Sequence, residues 1–264
     1  MTRIEKLFAS LGERKVLVGY LTAGDPTPEH TVAALHGLVS GGVDMLEVGI
    51  PFSDPEAEGP SIQAACERAL ANGMTLVKVL DMVKEFRQQN ADTPVVLMGY
   101  LNSVLAMPDF AERAQQAGAD GLIMVNLPPE AADELREQLA EHQLNLIFLI
   151  APTTTDERAA KILSKASGFV YYVSLKGTTG AGNLQVDEVG ARLKKLTAMS
   201  DLPFCVGFGV KDADSARSVA RHADGVVVGS ALVDLLAAHA DDVEAGVQAL
   251  EQMAAQLRAG VDSA

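Results

Sequence analysis

Short, largely apolar runs alternate along the chain with longer segments whose apolar residues recur every three or four positions. The runs are VLVGYL (16–21), MLEVGI (45–50), VVLMGY (95–100), GLIMVN (121–126), LNLIFLI (144–150), FVYYVS (169–174), FCVGFG (204–209) and GVVVGS (225–230). Each leads through a loop into a helical pattern, such as PPEAADELREQLAEH or TDERAAKILSKA, opened by Pro, Ser, Thr or Asp. Runs without polar alternation suit strands covered on both faces, as in a parallel sheet. A local pattern also recurs: GVDMLEVG at 42, GADGLIMV at 118 and HADGVVVG at 222, each a helix end, an Asp and then a strand.

Eight such units in 264 residues predict a (β/α)8 barrel. An amphipathic helix leads in, with Ile4, Leu7, Phe8 and Leu11 on one face. A doubly wound sheet shares the alternation, but it would most simply carry a GxGxxG turn after the first strand, where this chain has TAGDPTPE. No Pro/Ser/Gly-rich linker divides the sequence, so residues 1–264 are expected to form one barrel domain.

Composition narrows the partners. A formal charge of −14 without a basic stripe argues against nucleic acid. No apolar run reaches membrane-spanning length, and the N-terminal helix, with its acids and no continuous apolar stretch, is unlike a signal peptide. Cys66 and Cys205 lie far apart with no CxxC spacing, which fits a reduced cytoplasm better than a disulfide or zinc framework.

In the predicted barrel, chemistry belongs at the C-terminal strand ends. Across the eight runs Glu47 is the sole Asp, Glu, Lys, Arg or His. A carboxyl there has no strand-borne cation, so its pKa should be raised toward the range of a general acid or base. A structural carboxylate satisfied by backbone or tyrosine hydroxyls is the other reading. Beyond it, Asp54 suits a turn, Glu56 a solvated position, and Glu58 the point where the loop returns to the mouth before a Gly-Pro helix start. A second carboxylate near Glu47 would take a different role set by its surroundings.

Three glycine-rich turns, GTTGAG (177–182), GFG (207–209) and GSALVDLL (229–236), follow the last three strands. Glycine lets a backbone approach an anion closely, and Ser230 is placed to cap a helix N-terminus, so these loops suit a phosphate. Tyr20, Phe52, Tyr100, Tyr171 and Phe208 would line a slot for a flat ring, although each alone fits a core position. The five histidines all fall in helical segments or at their edges, which leaves no metal cluster at the strand ends. Lys176 is the one lysine near the mouth, and it reads as a loop residue rather than a Schiff-base nucleophile.

With LTAGDP (21–26), LEVGIPFSDPEAEGPSIQ (46–63), SLKGTTGAG (174–182), GFGV (207–210) and GSALV (229–233) in place, the chain resembles the α subunit of tryptophan synthase over essentially its whole length. The resemblance implies retro-aldol cleavage of indole-3-glycerol phosphate into indole and glyceraldehyde 3-phosphate, with no cofactor in this chain. It implies that Glu47 moves protons between glycerol hydroxyl and indole, and that Glu58 holds the indole N–H. Gly180, Gly209, Gly229 and Ser230 would bind phosphate, Tyr20, Tyr171 and Phe208 the indole, and Thr179 would belong to a closing loop. Asp54 and Pro55 would touch a β subunit, which would hold pyridoxal phosphate in an αββα complex and receive the indole. The chain departs from the family pattern at Glu58, where Asp is usual, at Asn126, where many relatives have Asp, and at Thr178, where an apolar residue is common. A displacement of around 1 Å can cost about a hundredfold in rate, so the loop carrying Glu58 must absorb the extra methylene. A stand-alone lyase and a weakly catalytic activator of the β subunit are the other readings.

Overall fold

In a computed structural model of the 264-residue chain, residues 1–173, 182–207 and 209–264 are described, 182–187 by backbone alone. Strands β1 (Val16–Thr22), β2 (Met45–Gly49), β3 (Val95–Gly99), β4 (Gly121–Met124), β5 (Asn145–Ile150), β6 (Val170–Val173), β7 (Phe204–Gly207) and β8 (Gly225–Val228) pair in parallel in chain order. β8 returns to β1, with Val16 opposite Gly225, and the barrel closes. Closure removes both sheet edges and excludes the doubly wound alternative.

The two-residue pleat sends alternate side chains inward and outward. Val18, Met45, Val96, Ile123, Ile147, Cys205 and Val227 fill the interior. Leu17, Leu46, Leu97, Leu122, Leu146, Val206 and Val226 point outward and pack beneath the helices. Both faces are therefore apolar, which is why the runs show no polar alternation. The leading helix Arg3–Ser10, opened by a Thr2–Glu5 capping box, closes the base by pressing Ile4, Leu7 and Phe8 on the interior layer. Fully burying Ile4 contributes about 1.5–3 kcal/mol.

The recurring Asp of the sequence pattern has a backbone role. Asp44, ahead of β2, accepts the Leu17 N–H of β1 at 2.8 Å. Asp120, ahead of β4, accepts that of Val95 on β3 at 2.8 Å. Asp224, ahead of β8, accepts that of Phe204 on β7 at 2.9 Å. The remaining even strand uses a hydroxyl, Ser167 Oγ accepting from Leu146 N at 2.9 Å. Four side chains thus each satisfy the N–H of the first or second residue of an odd strand, repeating one device at the base of each strand pair.

Most strands stop short of the apolar runs that predict them. Ile50, Tyr100, Val125 and Asn126 lie past the last ladder pairs, as do Gly209, Gly229 and Ser230. Ile50 and Tyr100 are nevertheless each 4% exposed. Loops and helices over the mouth bury Ile50 and Tyr100, so their apolarity reports burial and not strand pairing. β1 runs one residue longer than expected, through Thr22.

Candidate active site

Inward phase brings Glu47 up from Met45, one pleat closer to the mouth, beside Tyr20 on β1 and Val96 on β3. Its carboxyl is 2% exposed, and Oε1 has no hydrogen-bond partner among the described residues. Burial first, and the charge of Glu58 second, push the Glu47 carboxyl up to about 8. The expected tyrosine partners are engaged elsewhere: Tyr20 Oη bonds to Thr22 Oγ1 at 3.0 Å, and Tyr100 Oη accepts from Ala57 N at 3.0 Å. Neither Tyr20 nor Tyr100 therefore satisfies Glu47 Oε1 among the described residues.

Glu58 sits in the β2 loop, half-buried, with burial pushing its carboxyl up to about 7. Glu58 N donates to Pro55 O at 3.0 Å, Gln63 Nε2 donates to Glu58 O at 2.9 Å, and Tyr100 holds the Ala57 N–H. The Phe52 ring stacks on Tyr100 with centroids 4.9 Å apart. Tyr100 thus anchors the turn ahead of Glu58 as well as covering the mouth. Asp54 and Glu56 are exposed and Pro55 is half-buried; the Asp54 contribution to the turn is its carbonyl, which accepts from Glu56 N at 2.9 Å.

Two glycines make room for the aromatic slot. A Cβ at Gly49 would stand 2.2 Å from Tyr20 Oη, and one at Gly207 would stand 2.5 Å from Tyr171 Oη, so each tyrosine ring lies across a strand end without a side chain. Burial, followed by the charges of Glu47 and Glu58, holds the Tyr171 phenol well above its ordinary value and places it near both acids. Met98 and Ile62 pack with Tyr20 in this layer. Sequence reasoning missed both, although Met98 shares the inward phase of Tyr100, two residues on.

At the far side of the mouth the glycines are open. Gly209 has φ +58° with nothing among the described residues within 4 Å of an added Cβ, and Gly229 would meet Tyr20 only at an ordinary 3.6 Å. The helix Ser230–Ala237 has Gly229 as its N-cap and no side-chain cap. This corrects the expectation that Ser230 caps it: Ser230 is the first helical residue. The reason is local, since a strand ending at Val228 leaves only Gly229 to turn the chain. First-turn N–H groups of a helix without a capping side chain face the mouth as a site for an anion. Thr179, Gly180, Phe208, Lys176 and Thr178 lie outside the described residues.

Asn126 has a different job from the one its position suggested. Its Oδ1 accepts from Leu101 N at 2.8 Å, capping the short helix Leu101–Leu105 after β3. Among the described residues no group of three or more His, Cys, Asp or Glu is placed to hold a metal ion, and no helix is long and apolar enough to cross a membrane.

A buried carboxyl whose Oε1 has no partner among the described residues, a second acid, an aromatic slot and an open helix N-terminus thus share one barrel mouth. The family model described as tryptophan synthase alpha chain matches residues 8–262. The chain belongs to this family. A tryptophan synthase alpha chain from Thioalkalivibrio sulfidiphilus is 52% identical over 266 residues, covering 99% of this chain and 100% of that one. One from Marinobacter nauticus is 51% identical, covering 100% and 99%. The crystal structure of tryptophan synthase subunit alpha from Legionella pneumophila superposes with a TM-score of 0.92 at 44% identity, with both chains fully covered. At this likeness the family fold, the closed parallel barrel described above, extends over the whole chain.

Proposed function

We propose that this chain is a carbon–carbon lyase, cleaving indole-3-glycerol phosphate to indole and glyceraldehyde 3-phosphate in tryptophan biosynthesis, with Glu47 and Glu58 as its catalytic residues. The observation that carries the assignment of residues is Glu47: a buried carboxyl whose Oε1 has no partner among the described residues and which is held protonated near neutrality.

Its proton suits the first step. Glu47 donates to carbon 3 of the indole, and the positive charge that develops on the ring is met at the N–H by Glu58, the acid with the lower pKa of the two. Glu47, now a carboxylate, takes the proton of the glycerol hydroxyl next to the ring. The carbon–carbon bond breaks, its electron pair restores the aromatic ring, and the carbinol carbon becomes the aldehyde. Glu47 ends as it began, protonated. Tyr20, Tyr100 and Tyr171 sandwich the ring together with Phe208, while Gly209, Gly229 and Ser230, with Thr179 and Gly180, take the phosphate.

The chain works as one barrel domain, in the cytoplasm, without a cofactor of its own. A tryptophan synthase β subunit in an αββα complex is its partner and carries the pyridoxal phosphate. Exposed Asp54 and the neighbouring Pro55 suit that contact. The test is indole release from indole-3-glycerol phosphate by the purified chain, alone and with its β subunit, with Glu47→Gln as control. Weak activity that rises with the partner and disappears in Glu47→Gln supports the proposal. Strong activity alone points to a stand-alone lyase, and partner activation without cleavage to a barrel kept as an activator.

A further inference from the structure

The two ends of the substrate site are joined outside it. Ser61 Oγ donates to Asp234 Oδ2 at 2.9 Å, across 173 residues of sequence. Ser61 is the second residue of the helix Pro60–Ala71 and stands three positions after Glu58, with Gly59 and Pro60 between. Pro60 fixes its own φ, so there is little slack between the hydroxyl and the acid. Asp234 lies one turn into Ser230–Ala237, the helix whose uncapped N-terminus faces the mouth.

The helix Pro60–Ala71 is clamped at its other end as well. Arg68, seven residues on from Ser61 and so on the same face, holds Asp25 through Nε at 2.6 Å and Nη2 at 3.1 Å. Asn72 Nδ2 donates to Pro26 O at 2.9 Å. Arg68 and Asp25 both lie within the field of Asp234. Apolar contact between Tyr20, Ala65 and Val233 underlies the polar bridge. The helix behind Glu58 is thus fixed to the β1 loop by Arg68 and Asn72, and to the helix after β8 by Ser61.

We propose that Asp234 and Ser61 are positioning residues that set Glu58 against the indole according to where the phosphate seats the helix Ser230–Ala237. The inference rests on the reading of the site given above. When phosphate draws on the first turn of that helix, the Asp234–Ser61 bond transmits the placement to the turn that carries Glu58. Neither side chain touches substrate.

The test measures kcat and KM in complex with the β subunit, on indole-3-glycerol phosphate and on its dephosphorylated analogue, indoleglycerol. Ser61→Ala and Asp234→Ala should each lower kcat on the phosphorylated substrate by about three- to tenfold, the range expected for one net hydrogen bond. KM should change less than about twofold, and the double variant should be no worse than the poorer single. Ser61→Thr and Asp234→Asn keep donor and acceptor and should retain activity, which separates the bond from a folding defect. On indoleglycerol the Ala variants should match wild type. Equal losses on both substrates, additive losses, or an effect confined to KM would overturn the inference. If Glu58→Gln is silent in the same assay, the reading of the site falls and takes this inference with it; if Glu58→Gln is impaired while the Ala variants are not, only the coupling falls.

Discussion

Tyr20 and Glu47 are paired positions of β1 and β2, yet the phenol turns to Thr22 and leaves the Glu47 Oε1 without a described partner. This arrangement determines the protonation of the site. A carboxyl stripped of water by burial keeps its proton, and ionised Glu58 reinforces the effect. Between about 7 and about 8 the pair holds one proton, on Glu47, with Glu58 ionised. The kcat/KM profile should therefore be bell-shaped, rising as Glu58 ionises and falling as Glu47 does. Glu58→Gln should lower the rate and flatten the acid limb, and Glu47→Gln should abolish turnover. A profile measured from pH 5.5 to 9.5 decides it; an acid limb unchanged in Glu58→Gln would remove Glu58 from the mechanism.

The same burial makes stability depend on pH. The unfolded chain releases the Glu47 proton near the ordinary glutamate value of about 4.3, whereas the folded chain holds it to about 8. The native state binds more protons across that window, so stability falls as pH rises through it, by roughly 1.4 kcal/mol per unit of difference. Raised Glu58 adds in the same direction up to about 7. Glu47→Gln removes the larger of these contributions. Urea melts should show the variant more stable than wild type at pH 8, by a few kcal/mol, with the gap closing toward pH 4.

Gly49 is where packing meets the slot. Gly49→Ala places a methyl 2.2 Å from Tyr20 Oη, and a ring wedged against Ala65 and Val233 has little freedom to retreat. Overpacking of this kind costs about 1–3 kcal/mol. The displaced phenol should also narrow the ring slot, raising KM for indole-3-glycerol phosphate. A thermal melt and steady-state kinetics on one preparation check both; unchanged KM would mean that Tyr20 does not contact the ring.

The barrel was legible because its signal is dense: eight apolar runs at regular spacing leave few topologies, and Glu47 stands out as the one charged residue within them. What a one-dimensional pattern lacks is side-chain direction and distant partners. Tyr100 reads as ring lining, and nothing in the pattern showed that its hydroxyl also holds Ala57 N, from a different loop. Asn126 reads as a lost charge and acts as a helix cap. Ser230 has the chemistry of a cap, but the strand ends one residue too early for it to be one. The Asp of the repeated pattern was visible three times, whereas Ser167, which does the same work with a hydroxyl, carried no matching motif.

That repeated device gives the sharpest contrast between the two ends of the barrel. Asp120 is 4% exposed and serves three donors: Val95 N at 2.8 Å, Arg87 Nη2 at 2.8 Å and Arg3 Nη1 at 2.9 Å. Burial pulls the Arg87 guanidinium down to about 10 even with this carboxylate beside it. Asp120→Ala leaves a buried cation and a strand N–H unpaired together, a loss of about 3–5 kcal/mol. Asp120 lies at the base of the barrel, opposite the mouth, where side chains serve stability and not chemistry. The variant should therefore unfold at markedly lower urea while its folded fraction keeps wild-type kcat at low temperature. A matching fall in kcat for folded protein would show that the base and the mouth are coupled through the strands.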